Sequence, residues 1–429
     1  MGRRLNFLFL FLFVLIAWLA GDSSQDMTDP GAIDSGDTAW MLVSSAFVLL
    51  MTPGLAFFYG GMVHRKHIIS TMLQSFVALG VVSVLWVVVG FSLSFGDSIG
   101  GIIGNPATFF AFNNVGLGAN PDFASSIPFL LFALFQLKFA IITPALVTGS
   151  MAGRIRFRSY ILFMALFSLV IYPPLAHMTW HPDGLLRQAG VLDFAGGTVV
   201  HMSAGLAALA GALFLGKRSE KGEEQPANIP FVILGTGLLW FGWFGFNAGS
   251  AFGANADAVK AFANTNLASA TAMITWMFYE RFRDRKMSAV GACIGAIVGL
   301  VAITPAAGFI TLGESMLIGF AAALISNGAI HLREKSQVDD TLDVFPSHGV
   351  GGIVGMVMTA LFASEVGFFH GGSWAGLGVH LLALVGVVLF TFGGAYGLFL
   401  IVNQILPLRV TPEQEERGLD LSQHGETLR

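Results

Sequence analysis

The sequence of 429 residues is poor in charge and contains a single cysteine, Cys293. Only 11% of the residues are Asp, Glu, Lys or Arg, whereas soluble proteins average about 25%. Together with the 55% of hydrophobic residues, this excludes a soluble globular protein and indicates an integral membrane protein. A single cysteine also excludes an internal disulfide and a thiolate metal centre.

The sequence also lacks a strong net charge and catalytic motifs. The formal net charge of -4 is spread along the chain, so neither nucleic acid nor another polyanion is expected as a partner. No nucleotide-binding loop and no nucleophile–base set occurs in the sequence. We therefore expect neither an enzyme nor a cofactor.

The N-terminal segment "MGRRLNFLFLFLFVLIAWLAG" joins Arg3 and Arg4 to an apolar run and small residues, and an acidic, polar stretch follows. This layout predicts a signal peptide over residues 1–21. The apolar run is nearly long enough to cross a membrane, so an uncleaved first helix is the alternative. In both cases residue 38 is expected to lie on the outer side of the membrane, where the first predicted span of the mature chain begins.

Apolar stretches of about twenty residues predict eleven transmembrane helices. Their ranges are 38–59, 68–95, 128–151, 160–179, 194–215, 229–250, 263–279, 287–305, 316–332, 345–362 and 379–402. The predicted fold is thus an all-α polytopic membrane protein, with a membrane domain over residues 22–408 and a tail over residues 409–429. The tail is too short for a hydrophobic core of its own.

The basic residues between the predicted spans indicate how the chain is oriented. The links after even-numbered spans hold only Arg187 and Lys260, whereas the links after odd-numbered spans hold many Lys and Arg residues. Because cytoplasmic links are rich in Lys and Arg, the N-terminus is predicted to lie outside and the C-terminus in the cytoplasm.

Three ionisable residues stand out within the predicted spans: Lys138, His201 and His348. Such groups are costly in a membrane and usually line a cavity or contact each other. The histidines lie in similar glycine-rich stretches, "LDFAGGTVVHMSAGLAAL" and "LDVFPSHGVGGIVG", which open with Asp193 and Asp343. This similarity suggests duplicated halves.

The two histidines have two interpretations. A buried histidine can simply be a packing residue, but a neutral imidazole can also relay a small polar molecule or a proton. The similar settings favour the relay. A metal site is not expected, because no carboxylate or thiol is placed to complete it.

A set of aromatic and hydroxyl side chains accompanies these residues. It comprises Phe135 and Phe139 in "FQLKF", Trp180 in "AHMTW", and Phe246 and Ser250 in "GWFGFNAGS". Considered alone, the rings are typical of core residues or of an interfacial aromatic belt.

The combined motifs resemble the ammonium transporter family, the Amt/Mep/Rh proteins, and its bacterial Amt branch in particular. "RIRFRS", "AHMTW", "LDFAGGTVVHMSAG", "GWFGFNAGSAFGANA", "DDTLDVF" and "HGVGGIVG" occur in the family's order. The resemblance implies a homotrimer in the bacterial inner membrane that takes up ammonium. It also implies one pore in each subunit, built from two inverted five-helix repeats, and a final helix.

The resemblance assigns roles to individual residues. It implies an outer ammonium-binding site formed by Trp180, Phe135, Ser250 and Asp193. It implies a gate of stacked rings, Phe139 and Phe246. It implies a narrow pore along His201 and His348. Ammonium would be captured at the mouth, deprotonated and passed as ammonia, because apolar walls cannot replace the water shell of an ion.

The chain departs from the family pattern at Lys138, where relatives carry small or apolar residues. Lys138 lies three residues after Phe135, and on a helix this spacing predicts a shared face and a place in the pore or its wall. A charged amine there would plug the pore, a neutral one could carry a proton, and a structural contact is the third hypothesis. A plugged or retuned pore would make the protein a poorly conducting, sensor-like binder of ammonium.

Two further features qualify the resemblance. Pro346 and Ser347 precede His348 in place of the usual glycine and small apolar residue, which could shift the helix that orients this imidazole. The tail "PEQEERGLDLSQHGE" resembles the family's regulatory segment, and Gly418 is expected to form a tight turn in it. A PII-type regulatory protein could dock there, or the tail could only brace the trimer.

Overall fold

Helices form most of the described chain, residues 2–19, 33–219 and 225–428 of a computed structural model. The α-helices are α1 Gly2–Leu19, α2 Ser35–Met62, α3 Ile68–Phe76, α4 Ala78–Leu85, α5 Phe91–Phe95, α6 Phe129–Met151, α7 Phe157–Val170, α8 Tyr172–Trp180, α9 Leu185–Gln188, α10 Ser203–Leu215, α11 Ile229–Ala248, α12 Ala256–Phe282, α13 Ala289–Ile303, α14 Leu312–Glu334, α15 Gly351–Phe362, α16 Trp374–Ile405 and α17 Pro412–Arg417.

The described residues contain nine helical segments that are long and apolar enough to cross a membrane. They are Ser35–Met62, Arg65–Phe95, Phe129–Met151, Phe157–Gln188, Gly197–Leu215, Ile229–Ala251, Leu312–Glu334, Phe345–Phe362 and Trp374–Ile405. Two further predicted spans fall on α12, which is not among the nine, and on α13, which has only 15 residues. The chain is therefore a multi-pass, mainly helical membrane protein.

The all-α description needs one small correction, because two short antiparallel hairpins lie between α5 and α6. β1, Ser98–Ile99, pairs with β2, Ile103–Gly104, and β3, Ala119–Asn120, pairs with β4, Ala124–Pro128. These strands are too short to show a periodic hydrophobic pattern. They lead directly into α6.

The predicted signal peptide coincides in part with α1, which has 18 residues and carries no acidic residue in its first turn. Trp18, near its end, is 76% exposed. Residues 20–32, which contain the predicted end of the signal peptide at residue 21, lie outside the described residues.

His201 and His348 both lie in π-helical turns, Gly197–Met202 before α10 and Phe345–Val350 before α15. An acid caps each turn eight residues before its histidine. Asp193 accepts hydrogen bonds from the backbone of Gly196, Gly197 and Thr198 at 2.7 to 2.8 Å. A buried carboxylate is satisfied by such backbone donors.

In the second half of the chain, Asp340 and not Asp343 occupies the place of Asp193. The Oδ2 atom of Asp340 accepts a hydrogen bond of 2.7 Å from the backbone nitrogen of Phe345. Asp343 instead forms an ion pair of 2.8 Å with Arg333. The structure therefore matches Asp193 with Asp340, whereas the comparison of the two sequence stretches matched Asp193 with Asp343.

The two histidine-bearing segments approach each other closely at Gly205 and Gly349. A Cβ atom at Gly205 would overlap the backbone nitrogen and Cα of Gly349. Only glycine leaves room for this contact, because any larger residue would push the two backbones apart. The glycine-rich stretches of the sequence thus hold His201 and His348 at a short separation.

The tail packs against the first turns of α3 and α7. Asp420 accepts hydrogen bonds from the backbone of Ile69 and Ser70 in α3, at 3.0 and 2.7 Å. The side chain of Gln423 accepts a bond of 2.8 Å from the backbone nitrogen of Phe157 at the start of α7. Gly418 has a φ of 93° between α17 and the Asp420–His424 turn, which confirms the expected tight turn.

A buried arginine ties the neighbouring loops together. Arg154 is fully buried and forms an ion pair of 2.9 Å with Asp339, which also pairs with Arg218 at 2.8 Å. Burial alone would raise the pKa of Asp339, but the hydrogen bonds and charges of Arg218 and Arg154 lower it to about 2. Asp339 therefore keeps its charge at neutral pH.

The close contact at Gly205 makes a stability prediction. We expect Gly205→Ala to lower the free energy of unfolding by about 1–3 kcal/mol, because the new methyl group overpacks a backbone contact. Thermal unfolding of the detergent-purified protein measures this. Gly328→Ala in α14 is the matched control, since a Cβ there meets no atom within 4 Å. Equal unfolding temperatures for the two variants would contradict the packing argument.

Candidate functional site

A cavity of about 360 Å³ opens near the start of α6 and the end of α8; we refer to it as the vestibule. Four of the predicted site residues line it, namely Phe139, Trp180, Asp193 and Ser250. The Ser250 hydroxyl donates a hydrogen bond of 2.9 Å to the carbonyl oxygen of Phe246. The lone pairs of Ser250 Oγ are therefore the part of this group that can accept a bond from a ligand.

Phe135 is not among the residues that line the vestibule. It is fully buried, and its ring centroid lies 5.0 Å from that of Phe139 and 5.9 Å from that of Phe252. A Cβ atom at Gly249 would also contact its ring. In this structure Phe135 supports the rings of the vestibule from behind.

A pair of phenylalanine rings lies between the vestibule and a neighbouring cavity. The centroids of Phe139 and Phe246 are 4.2 Å apart, with the ring planes at 37°. Trp180 contacts Phe139 edge-on at 5.9 Å. Phe139 lines the vestibule, whereas Phe246 lines the next cavity inward. The contact between the two rings thus lies between the two cavities.

Below the rings, the imidazoles of His201 and His348 lie 5.4 Å apart between centroids, at an interplanar angle of 29°. Their Nδ1 atoms are 3.3 Å apart. In a neutral pair one Nδ1 donates and the other accepts, so one Nε2 is a bare acceptor and the other carries a hydrogen. The Nε2 atom of His201 is buried and has no partner among the described residues.

Two small cavities adjoin this pair of imidazoles. Each has a volume of about 10 Å³, which is room for about one water molecule. The upper one contains both histidines, and its other lining residues are Met51, Leu55, Phe58, Ile142, Leu146, Val200, Leu239, Trp243, Phe246 and Ile297. The lower one shares His348 and also contains Ser347. The path is therefore narrow and largely apolar.

Asp193 holds the aromatic wall of the vestibule in place. Its backbone carbonyl accepts a hydrogen bond of 3.1 Å from the indole nitrogen of Trp180. Its carboxylate accepts a bond of 2.5 Å from the hydroxyl of Thr198. Thr179, which lines the vestibule, lies 3.4 Å from Thr198 Oγ1. Since the Thr198 proton is already donated to Asp193, Thr179 is the donor in that pair.

Lys138 does not line the vestibule or either small cavity. It is partly buried, like Leu130 and Leu134, which lie at four-residue intervals on the same side of α6. The three-residue spacing places Lys138 near the face of Phe135, but neither residue lines the vestibule. Within the described residues no hydrogen bond or ion pair to Lys138 is present.

The unusual residues before His348 fit the local structure. Pro346 lies in the first turn of the π-helical segment, where its missing N–H needs no partner. The backbone nitrogen of Ser347 donates a hydrogen bond of 3.0 Å to the carbonyl of Asp343. The His348 ring still lies against that of His201, so the substitution leaves the pair intact.

Gln136 and Thr179 line the vestibule but were not singled out from the sequence. A signal existed for Gln136, since it is a polar residue within an apolar span and three positions before Phe139. Thr179 gives no such signal, because its role depends on contact with Thr198. Among the described residues, no group of three or more His, Cys, Asp or Glu side chains could hold a metal ion.

Comparison with known proteins decides the family. The model named "Ammonium Transporter Family" matches residues 39–428. The chain belongs to the ammonium transporter family. It is 46% identical to an ammonium transporter of Aquifex aeolicus, covering 94% of this chain and 96% of that protein. It is 42% identical to one of Bacillus subtilis, covering 91% and 98%.

Solved structures of family members have the same fold. The crystal structure of Candida albicans Mep2 matches with a TM-score of 0.85 at 34% identity, covering 95% of both chains. Mep2 of Saccharomyces cerevisiae matches with a TM-score of 0.83 at 35% identity, covering 89% of each. A structure titled "Sensor Amt Protein" matches with 0.84 at 31% identity, covering 91% of this chain and 98% of that one.

The contacts of Asp193 make a second prediction. In Asp193→Asn the amide NH2 would face backbone donors, and each donor left unpaired should cost about 1–3 kcal/mol of stability. We expect a lower unfolding temperature together with weaker ammonium binding, because the side-chain contacts that hold the loop are weakened and the backbone carbonyl bonded to Trp180 is displaced. The exposed Asp257→Asn is the control, with a change of at most about 0.5 kcal/mol. A stable variant with normal binding would show that Asp193 is dispensable.

Proposed function

We propose that the chain transports ammonium, capturing the cation in the vestibule, deprotonating it and passing ammonia along the paired histidines. The observation that supports this most strongly is the buried pair, His201 and His348, below the stacked rings of Phe139 and Phe246. In this arrangement the vestibule, which suits a cation, is followed by the histidine-lined cavities, which suit a small neutral molecule.

Capture depends on an aromatic face and on hydroxyl oxygens. The face of Trp180 attracts a small cation by about 0.5–2 kcal/mol. Ser250 Oγ accepts an N–H bond from the cation, since its own proton is donated to Phe246. The carboxylate of Asp193 contributes a negative charge at the edge of the vestibule. Phe135 belongs to this site as a support of Phe139.

Passage favours the neutral molecule because the inner walls are apolar. An ion without its water shell costs many kcal/mol in such surroundings unless it is paired. Ammonia carries no charge, donates a hydrogen bond to a bare Nε2 and accepts one from an Nε2–H. The two imidazoles in opposite tautomers supply one of each. The proton removed at the vestibule travels separately.

The alternative function is that of a poorly conducting, sensor-like binder of ammonium. A structure titled "Sensor Amt Protein" is among the similar structures. From the sequence, this alternative depended on Lys138 within the pore. Since Lys138 is not among the residues lining the vestibule or the small cavities, the geometry favours transport.

The proposed topology has eleven transmembrane helices, formed by two inverted five-helix repeats and α16. The N-terminus would lie outside and the C-terminus in the cytoplasm. The acid-capped π-helical turns support the repeat, because Asp193 and Asp340 hold equivalent positions before His201 and His348. The distribution of Lys and Arg between the spans supports the orientation.

The proposed assembly is a homotrimer in the bacterial inner membrane, made with a cleavable signal peptide and serving nitrogen uptake. The proposed partner at the cytoplasmic face is a PII-type protein that docks beside the tail. The tail joins loops that lead to α3 and α7 through Asp420 and Gln423, so a partner bound there could reach the pore exit. Bracing of the trimer by the tail is the alternative.

Removing both imidazoles tests the proposed pore. We expect His201→Ala with His348→Ala to lower saturable ammonium uptake at least about tenfold, since a lost hydrogen bond of about 1.4 kcal/mol corresponds to that factor. Uptake is measured in cells that lack their own ammonium transporters, and the unfolding temperature is measured in detergent. His331→Ala, on the more exposed end of α14, is the control.

A double variant that folds normally and transports at the original rate would exclude the histidines from the path. A double variant that unfolds would instead indicate a packing role. In that case the single variants His201→Ala and His348→Ala distinguish a transport role from a packing role, because each variant keeps one imidazole ring in the core.

The position of Lys138 makes a further prediction. We expect Lys138→Ser to leave the ammonium-evoked current of reconstituted protein unchanged within about twofold, because the side chain does not line the path. The unmodified protein is measured in parallel. A large gain of current would indicate that Lys138 plugs the pore, and a large loss would indicate that it carries a proton.

A further inference from the structure

A buried histidine lies behind one side of the vestibule, and the proposed mechanism assigns it no role. His380 is in the second turn of α16 and is only 6% exposed. The next two residues, Leu381 and Leu382, are exposed on the outside of the helical bundle. His380 is not among the residues that line the vestibule or the two small cavities. Any effect on transport must therefore pass through a neighbouring residue.

The neighbour is a backbone group of the vestibule itself. The Nε2 atom of His380 accepts a hydrogen bond of 3.3 Å from the backbone nitrogen of Leu192. Leu192 belongs to segment 191–194, and all four residues of this segment line the vestibule. The ring thus joins α16 to the backbone that forms this side of the vestibule.

Segment 191–194 has two other anchors, and both are backbone hydrogen bonds. The nitrogen of Val191 donates to the carbonyl of Leu186 at 3.0 Å, and the nitrogen of Phe194 donates to the carbonyl of Pro305 at 3.0 Å. Of these three anchors, the one at Leu192 alone depends on the identity of a side chain. A substitution can therefore remove it without altering the other two.

The anchor at Leu192 is one residue away from the support of Trp180. The carbonyl of Asp193 accepts the hydrogen bond of 3.1 Å from the indole nitrogen of Trp180. If Leu192 shifts, the carbonyl that follows it shifts too, and the indole follows its acceptor. The attraction between a cation and an aromatic ring requires that the cation lie over the ring face. The orientation of Trp180 is thus sensitive to a contact made outside the vestibule.

Packing alone does not account for a histidine at this place. Because Nε2 accepts a hydrogen bond, the hydrogen of the neutral ring lies on Nδ1. That Nδ1 atom is buried and has no partner among the described residues. A buried donor without an acceptor is unfavourable, and an apolar side chain would avoid it. What an apolar side chain cannot supply is the acceptor for Leu192.

We propose that His380 is a positioning residue that holds Leu192 in place and so keeps the face of Trp180 turned towards the captured ammonium. This inference rests on the proposed function of the vestibule and adds a residue that controls its affinity. His380 itself does not touch the cation. Since it also does not line the cavities beyond the ring contact, its loss should weaken capture and leave the maximal rate of passage unchanged.

The test measures ammonium uptake by the full-length protein reconstituted in liposomes. His380→Met keeps an apolar side chain of similar length and removes the acceptor. We expect its half-saturating ammonium concentration to rise about fivefold, the factor for one lost hydrogen bond of average strength. Its maximal rate should stay within about twofold of the original, because a loss of binding alone changes only the half-saturating concentration.

Rescue by an amide separates positioning from space filling. In His380→Gln the side-chain oxygen can take the place of Nε2 as the acceptor for Leu192. We expect this variant to bind ammonium as the unmodified protein does. In His380→Asn the amide is one methylene group shorter, so it cannot reach Leu192, and we expect the weak binding of His380→Met.

Thr391→Val is the matched control on the same helix. Thr391 is fully buried, and its Oγ1 atom has no partner among the described residues. It lies eleven residues after His380 in the sequence, which is about three helical turns. We expect both of its uptake constants to equal those of the unmodified protein. Folding of each variant is checked by its elution as an assembled, monodisperse species.

A double variant tests whether His380 acts through Trp180. In Trp180→Leu the ring face is already absent, so adding His380→Met should change the half-saturating concentration little further. Two independent effects would instead multiply. A multiplied effect would therefore contradict the proposed route from His380 to Trp180.

Two other outcomes would overturn the inference: an unchanged half-saturating concentration in His380→Met, or weak binding by a folded His380→Gln. If His380→Met does not fold, the comparison of His380→Gln with His380→Asn decides, and equal affinities of these two variants would contradict the proposal. Failure of the proposed function is a separate result. It would appear as an unmodified protein that shows no saturable ammonium uptake.

Discussion

The cost of removing water from a small cation is the constraint on which the rest of this structure depends. In the proposed function an ion is stable in the vestibule, where Trp180 offers a ring face and Ser250 a hydroxyl oxygen. It is not stable beyond Phe139 and Phe246, where cavities of about 10 Å³ are lined mostly by aliphatic and aromatic groups. In the proposed mechanism, the contact between these rings divides a cation site from a path for a neutral molecule.

The scaffold meets this constraint with buried polar groups that are placed by the backbone. Asp193 and Asp340 each cap a π-helical turn, and these turns present His201 and His348 towards each other. The absence of side chains at Gly205 and Gly349 lets the two segments come close enough for the rings to meet. At the other end of the chain, Asp420 accepts a hydrogen bond from the backbone of α3 and so joins the tail to the same helical bundle.

The sequence predicted the class, the long helices and most of the site, because apolar runs and intramembrane histidines give strong signals. Phe139, Trp180, Ser250 and Asp193 indeed share one cavity. Lys138 was predicted to lie in the pore or its wall, and it does not line the vestibule or the two small cavities. Its spacing from Phe135 indicates a shared helix face but not which neighbours that face contacts. The sequence paired Asp193 with Asp343 where Asp340 is the counterpart. It also missed Gln136 and Thr179, whose surroundings arise only when α6, α8 and α11 meet.

The central claim is that nitrogen crosses the ring contact as ammonia. Rubidium is close to ammonium in size and charge but has no proton to lose, so a comparison of the two fluxes tests the claim directly. In liposomes that contain the purified protein, the account predicts saturable ammonium uptake and no radioactive rubidium uptake above that of empty liposomes. Rubidium flux at a rate comparable to that of ammonium would contradict it, because an intact cation would then have crossed between Phe139 and Phe246.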